Sequence, residues 1–272
     1  MMKLKWILFV CVVIACSHTA SAQHTFGVTM GYGMGSASFE PKQEGKSVWG
    51  LSSGVSWRYY TAQRFVGSFG IDLELLQQGF SSAPYASTTE NPADYLYYTR
   101  KQSTLILPIV WQPHVYLFKN RLRVFIEAAA TFSYNLGSTY TNEVAKAAGK
   151  EDWEGDYEFK MARDNRWGYG LAGGAGFAVL IHRFEVQFRA RYYFGFGDLL
   201  RNRNKYADNK IDGSENPFWA TPLRSPLNNI NFSVGVSYRF NKKGFDEWTA
   251  PRKKRDKANK TFDYKEGTKG TK

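Results

Sequence analysis

The strongest constraint on the fold is a strict alternation of apolar and polar residues at 228–240. The apolar positions are Ile230, Phe232, Val234, Val236, Tyr238 and Phe240, and the intervening positions are Asn231, Ser233, Gly235, Ser237 and Arg239. Successive side chains of a β-strand point to opposite faces, so the pattern predicts a strand with one apolar and one polar face. A chain built from such strands must place the apolar faces in a core or against lipid.

Seven further segments share this alternation, and together they predict eight strands. The other seven lie at about 26–37, 49–59, 65–75, 104–111, 123–134, 167–179 and 184–194. The connections at 61–64, 118–121 and 181–183 are short, whereas those at 79–95, 137–165 and 199–227 are long. Short periplasmic turns and longer extracellular loops are typical of bacterial outer-membrane barrels. We therefore predict an all-β fold, an eight-stranded antiparallel up-and-down transmembrane barrel at 23–240 with both termini in the periplasm.

One predicted strand contains a proline in its interior. Pro108 cannot donate a backbone hydrogen bond, and prolines inside sheets are confined to edges and bulges. We expect a β-bulge at this position.

The polar faces of the strands carry charged residues. The inward positions include Asp72, Glu74, Arg123, Glu127, Glu185, Arg189, Arg191 and Arg239. An eight-stranded barrel has an interior that side chains just fill, and a lone buried charge is costly, so these groups are expected to pair across the lumen. The alternative readings are an ion path, or a soluble lipocalin-like barrel, which would need an apolar interior and a polar exterior.

The N-terminal segment 1–22 has the features of a secretory signal peptide. Lys3 and Lys5 precede an apolar run, and Ala20-Ser21-Ala22 forms a small-residue cleavage site. Lipidation of Cys16 is the alternative. Both cysteines, Cys11 and Cys16, lie in this leader, so cleavage after Ala22 leaves no thiol for a disulfide or a metal site.

The formal net charge of +12 is concentrated near the C-terminus. Residues 241–272 contain eleven Lys or Arg and five Asp or Glu, which is half of the excess. Few apolar residues occur there, so the segment cannot bury a core and is expected to be a disordered periplasmic basic tail. An exported protein gives no reason to expect nucleic acid as a partner. The candidate partner-binding residues of the tail are Trp248, Arg252, Lys253, Lys254 and Arg255.

The histidines argue against catalysis. Some eight-stranded outer-membrane barrels are lipid A hydrolases or transferases that place a His near Ser, Asp or Glu at the outer rim. Here His18 lies in the leader, His24 follows it, and His114 and His182 fall near the short turns. The sequence therefore predicts no enzyme, no cofactor and no metal.

Several segments resemble the PorT-type outer-membrane β-barrel family of Bacteroidetes. They are 104–111, 123–130, 167–176, 185–192 and the closing strand, and the resemblance spans roughly 24–240. The closing motif Gly235-x-x-Tyr238-x-Phe240 resembles the assembly signal of bacterial outer-membrane barrels, which implies contact with the barrel-assembly machinery during insertion. Two departures are Ile106, where members often carry Glu, and the extension beyond Phe240.

The founding member of that family is implicated in type IX secretion. The resemblance therefore implies a non-enzymatic structural or accessory component of an envelope assembly, in protein secretion or membrane-protein biogenesis, with outer-membrane lipid and a periplasmic protein as partners. A surface receptor or adhesin that acts through the long loops is the first alternative. A lipid-modifying enzyme is the second.

Overall fold

The computed structural model describes residues 23–40, 42–60, 67–83, 91, 95–118, 121–161, 164–201 and 224–240. The signal peptide expected at 1–22 and the tail at 241–272, including its candidate residues at 248 and 252–255, lie outside these ranges. The strands are β1 (Gln23–Ala37), β2 (Glu44–Tyr60), β3 (Ser68–Ala83), β4 (Tyr98–Gln112), β5 (His114–Leu117), β6 (Leu122–Asn142), β7 (Glu154–Asp156), β8 (Trp167–Ile181), β9 (Phe184–Asp198) and β10 (Pro226–Arg239). A five-residue helix, α1 (Glu143–Ala147), follows β6.

Eight long strands form one closed antiparallel sheet. The order is β4-β3-β2-β1-β10-β9-β8-β6, and pairing of β4 with β6 and of β1 with β10 leaves no open edge. The short β5 continues along β6 after Pro113, and β7 pairs with the far part of β6. The expected eight-stranded up-and-down barrel is confirmed. We call the end that carries Thr25 and the short connections the turn end, and the opposite end, which carries the long connections, the loop end.

The two faces of the wall differ as the alternation predicts. In β10, Phe232, Val234 and Val236 are exposed on the outer face, with 54%, 47% and 44% of their surface accessible, while Asn231 and Ser233 are buried inside. The other long strands repeat this arrangement. An apolar exterior around a polar interior is the reverse of a soluble barrel, and contiguous exposed apolar surface on this scale marks a membrane-facing protein.

The strands at the loop end are longer than the sequence predicts. β3 continues to Ala83 and β6 to Asn142, so the sheet extends into the predicted connections at 79–95 and 137–165. The alternation is weaker there because both faces carry polar residues. The side chain of Asn142 then accepts hydrogen bonds from the backbone N–H groups of Val144 and Ala145, which caps and starts α1.

The expected bulge at Pro108 was wrong. Pro108 stays in register opposite Thr131 of β6, and the shift between β4 and β6 lies between Ser103 and Thr104, where Leu136 is the additional residue. Pro108 is fully buried inside the barrel. Proline has no backbone N–H to donate, but none is needed here because β3 and β4 are not paired at Pro108. The pairs on either side, Ile71 with Ile109 and Glu74 with Ile106, share one register.

Inward glycines keep the lumen narrow. A Cβ atom at Gly27 would lie 2.1 Å from Ser237 Oγ, and one at Gly31 would lie 2.5 Å from the carbonyl oxygen of Phe232. At the outward Gly173 the nearest atom is 3.9 Å away. The inner face of β1 is therefore packed to the limit of van der Waals contact. Among the described residues, no helix is long and apolar enough to cross a bilayer.

Candidate functional site

The centre of the lumen contains a network of three arginines and three carboxylates. Arg191 lies 2.5 Å from Glu127, 3.0 Å from Asp72 and 3.1 Å from Glu74. Arg189 contacts the same three carboxylates, at 2.6 Å from Glu74, 3.2 Å from Asp72 and 3.8 Å from Glu127. These groups come from β3, β6 and β9, so the network spans the barrel from wall to wall.

The third arginine of this network was missed by the sequence analysis. Arg58 of β2 forms a bidentate pair with Asp72, whose second contact is 2.9 Å long. The signal was present, because Arg58 lies between the outward residues Trp57 and Tyr59. Tyr193, another inward residue, donates to Glu74. With three positive and three negative side chains, all buried, the central network is electrically neutral.

A second cluster lies at the turn end. Arg123 and Arg239 both contact Glu185, the latter at 3.2 Å, and Arg123 also donates to the hydroxyl of Tyr60. The Arg123 guanidinium carbon lies 4.7 Å from the centroid of the Tyr60 ring. The eight inward charges named from sequence thus fall into two groups, five in the central network and three at the turn end.

An apolar layer also lines part of the lumen. Ile106, the residue at which this chain departs from the resembled family, is buried with Leu76, Val110, Ala129 and Ala172. A carboxylate at this position would require an additional cation. An apolar residue at this position is therefore consistent with a central network that is already balanced.

At the loop end, the connection between β6 and β8 packs against an inward side chain of the barrel. Tyr157 is buried and donates to Asp164 over 2.7 Å, and the Arg100 guanidinium carbon lies 3.6 Å from the Tyr157 ring centroid. Arg100 and Asp164 are 3.7 Å apart, and the backbone N–H of Lys160 donates to the same carboxylate. These contacts fold the connection over the lumen. Asp164 carries no periodic sequence signal that could have identified it.

The histidines lie away from the loop end. His24 is in β1 and stacks on Trp57, His114 begins β5 beside Tyr60, and His182 occupies the turn between β8 and β9 with a φ of 53°. Among the residues that the structure describes, no three His, Cys, Asp or Glu side chains are grouped to hold a metal ion.

The residues of the closing motif occupy the turn end of β10. Gly235 points inward, where a Cβ atom would lie 2.7 Å from Thr29 and 2.8 Å from Gln187. Tyr238 stacks edge-on with Phe184 and with Phe240, and Phe240 is 62% exposed. The two aromatic side chains therefore sit at the rim of the apolar surface, where aromatic girdles of membrane barrels lie.

A closed barrel with an apolar outside, a charged inside and aromatic rims has the architecture of an outer-membrane β-barrel protein. A family model described as outer membrane protein beta-barrel domain matches residues 20–201, and the chain belongs to that family.

Solved structures of similar fold come from three bacterial groups. Neisserial surface protein A is 10% identical, with 79% of this chain and 97% of that chain covered and a TM-score of 0.37. Ail, the attachment invasion locus protein of Yersinia pestis, is 12% identical, with 80% and 99% covered and a TM-score of 0.36. OprG of Pseudomonas aeruginosa is 12% identical, with 82% and 98% covered and a TM-score of 0.41. A comparison with curated protein sequences found no match.

Proposed function

We propose that this chain is a non-enzymatic outer-membrane barrel that serves as a structural or accessory component of an envelope assembly. The observation that carries the proposal is the filled lumen. Arg189, Arg191 and the three carboxylates join opposite walls and leave the barrel interior occupied by protein. Any contact with a partner protein is then made by the parts outside the barrel, which are the tail and the long connections.

The tail is the first candidate for that contact. With both termini in the periplasm, residues 241–272 would extend from the turn end, where β10 finishes at Arg239. The run at 251–257 places five cations within seven residues, and Trp248 precedes it. A disordered basic segment with an aromatic anchor can fold on an acidic protein surface. Protein secretion and membrane-protein biogenesis are the processes that the family resemblance suggests, with the barrel-assembly machinery and outer-membrane lipid as further partners.

The test compares two tail variants that lose the same charge. One replaces Arg252, Lys253, Lys254 and Arg255 by Gln, and the other replaces Lys260, Lys265, Lys269 and Lys272 by Gln. We expect the first to lose a cross-linked periplasmic partner in pull-downs from mild detergent, while the second retains it. Both should remain heat-modifiable on gels, because the barrel at 23–240 is unchanged.

Equal recovery of every partner from both variants and from a deletion of 241–272 would contradict a role for the tail. A deletion strain then separates the remaining function classes. Loss of secreted proteins supports the accessory role, and loss of binding at the cell surface supports the receptor or adhesin.

The receptor alternative is favoured by one observation, the set of contacts that hold the connection between β6 and β8 at the loop end. Its described residues, 143–161 and 164–166, are held by α1, by β7 and by the Tyr157–Asp164 contact, so they present a defined surface. A lipid-modifying enzyme has less support, because His24, His114 and His182 lie at the turn end.

A further inference from the structure

The outer wall of the barrel is indented along the middle of β6. Ala128 and Ala130 are the outward residues there, and both are exposed. The next outward residues of the same strand, Ile126 and Phe132, are large and are 63% and 52% exposed. An alanine side chain ends at Cβ, so it leaves the backbone of the wall close to the surface. The two alanines therefore form the floor of a trough that runs along β6 between Ile126 and Phe132.

The neighbouring strands form the sides of this trough. On one side, Ile109 of β4 pairs with Ala130, and Trp111 is the next outward residue. On the other side, Leu171 of β8 pairs with Ala130. Adjacent strands are about 4.8 Å apart, so a group centred over β6 lies roughly 5 Å from the row on either side. That spacing admits one extended hydrocarbon chain, because apolar heavy atoms are in contact at about 4.0–4.5 Å.

The volume of the trough is about 410 Å³. This is more than ten times the share of the liquid that one water molecule takes up, about 30 Å³, so the trough accepts a chain segment and not only a methyl group. The side chains of Val110, Ala129 and Ala172 are buried inside the barrel, so these residues line the trough through their backbone atoms. None of the residues that line it is charged, and Trp111 carries the one polar side-chain group among them. The occupant must therefore be apolar.

The shape of the trough favours a lipid chain over a second copy of this barrel. Dimers of identical chains most often use the same patch on both partners. A trough placed against its own copy leaves two facing hollows, and the atoms that line an unfilled hollow lose their dispersion contacts. A flexible acyl chain can enter the trough instead. The trough also lies on the apolar outer face, which is the face that the barrel presents to lipid.

We propose that this trough holds one straight acyl chain of a membrane lipid from the leaflet at the turn end. Trp111 and Phe69 lie next to the turn-end limits of β4 and β3, at the level where the aromatic girdle of a membrane barrel lies. A lipid whose headgroup is beside Trp111 extends its chain away from the interface, over Ala128 and then Ala130. Because the trough is one chain wide, methyl branches weaken the fit. The inference does not depend on the accessory role proposed above.

Binding is tested by alanine-methyl NMR of the full chain in dihexanoyl phosphatidylcholine micelles. The probes are palmitoyl and phytanoyl lysophosphatidylcholine, which share a headgroup and a main-chain length but differ in methyl branching. We expect the Ala128 and Ala130 methyl resonances to shift and to saturate at one palmitoyl chain per barrel, and the phytanoyl chain to bind at least tenfold more weakly. The methyl group of Ala190, which faces outward on β9 away from the trough, should show only the linear shift caused by the changing micelle.

Two variants separate binding in the trough from general effects of a larger outward side chain. Ala130→Phe fills the trough and is expected to weaken palmitoyl binding at least tenfold, as read from the Ala128 methyl resonance. Ser53→Phe makes a similar change at an exposed outward position of β2, three strands away from β6, and should leave binding unchanged. Heat modifiability on gels shows that each variant is folded.

The proposal is overturned by shifts that grow linearly with the palmitoyl chain, by equal saturation with the phytanoyl chain, or by full binding in a folded Ala130→Phe protein. Shifts of Ala128 and Ala130 that depend on protein concentration at a fixed lipid content identify a second barrel as the occupant, and they also overturn it. The comparison of the two probes uses the unaltered protein, so it decides the question even where Ala130→Phe does not fold.

Discussion

At the scale of single residues, the three central arginines are held by their carboxylates and depend on them. Each of Asp72, Glu74 and Glu127 lies within hydrogen-bond distance of Arg191, so the loss of one cation affects three anions. A buried ion pair contributes little relative to an apolar core, but breaking one leaves an uncompensated charge. The stability of the barrel should therefore fall when one charge of the network is removed, and fall less when one charge of each sign is removed together.

Arg191→Met is expected to destabilise the barrel by about 3–5 kcal/mol, because the buried network is left with one uncompensated negative charge. Urea unfolding in phospholipid vesicles, followed by the gel shift of the folded form, measures the loss. Arg121→Met, at an exposed position of the turn end, should change stability by less than about 0.5 kcal/mol.

The double variant Arg191→Met/Glu127→Gln checks the cause. It removes one charge of each sign, so it should lose less stability than the sum of the two single variants. Simple additivity would show that the two groups do not interact.

The sequence predicts the inward charged residues well wherever the alternation of apolar and polar residues is regular. The inward placement of Asp72, Glu127 and Arg189 follows from their apolar neighbours on the same strands, and Arg58 obeys the same rule. Asp164 does not, because its position depends on how a connection folds back over the lumen. No periodic pattern records that geometry, so the contact with Tyr157 could only come from the structure.

At the scale of the element, inward and outward glycines on the wall have opposite tolerance. Gly31→Val is expected to cost about 1–3 kcal/mol, since its Cβ would lie 2.5 Å from a carbonyl oxygen that cannot move without shifting β10. At Gly173 the nearest atom to an added Cβ is 3.9 Å away, so Gly173→Val should be near neutral. Midpoints of urea unfolding compare the two, and equal losses would exclude lumen packing as the cause.

The connection at the loop end is held by the Asp164 carboxylate. Asp164→Ala removes the acceptor of the Tyr157 hydroxyl and leaves Arg100 without that anion, so the local stability of 143–164 should fall by about 1–3 kcal/mol. Hydrogen exchange of the 143–164 amides should accelerate by one order of magnitude or more. Glu151→Ala, at an exposed site in the same connection, is the matched control and should exchange like the unaltered protein. Unchanged exchange in Asp164→Ala would show that other contacts hold the connection.

The limits of the elements were predicted less well than their number. β3 and β6 continue past the apolar stripe because backbone pairing with neighbouring strands persists where both faces are polar. The bulge expected at Pro108 was wrong for a related reason. A proline predicts a local break, but the neighbouring pairs of β4 with β6 hold its register from both sides.

At the scale of the whole molecule, the apolar outer surface commits the barrel to lipid. Val234→Arg places a cation on that surface midway along β10 and should destabilise the inserted barrel by about 2–4 kcal/mol. Leu117→Arg, at the turn end, should cost about 0–1 kcal/mol, since charge is tolerated near the interface. Comparing the loss of unfolding free energy in vesicles with the loss in detergent distinguishes an effect of lipid from an effect of packing. Equal losses for the two variants would contradict a lipid-facing role for Val234.

The filled lumen also predicts the electrical behaviour of the molecule. Purified protein in a planar bilayer should show no steady single-channel conductance, because side chains occupy the interior. A porin inserted in the same bilayer is the positive control. A reproducible open level for this chain would show that ions pass the central network.

The central network has a consequence for the order of folding. Arg191 and Asp72 are 119 residues apart in the sequence, and they meet only when the sheet is a complete cylinder. A sheet that has not yet closed would hold Asp72 and Glu74 of β3 apart from Arg189 and Arg191 of β9, and the charges left without a partner would face hydrocarbon at a high cost in free energy. We therefore expect insertion to be cooperative, because the charges of the interior are all paired only in a closed barrel.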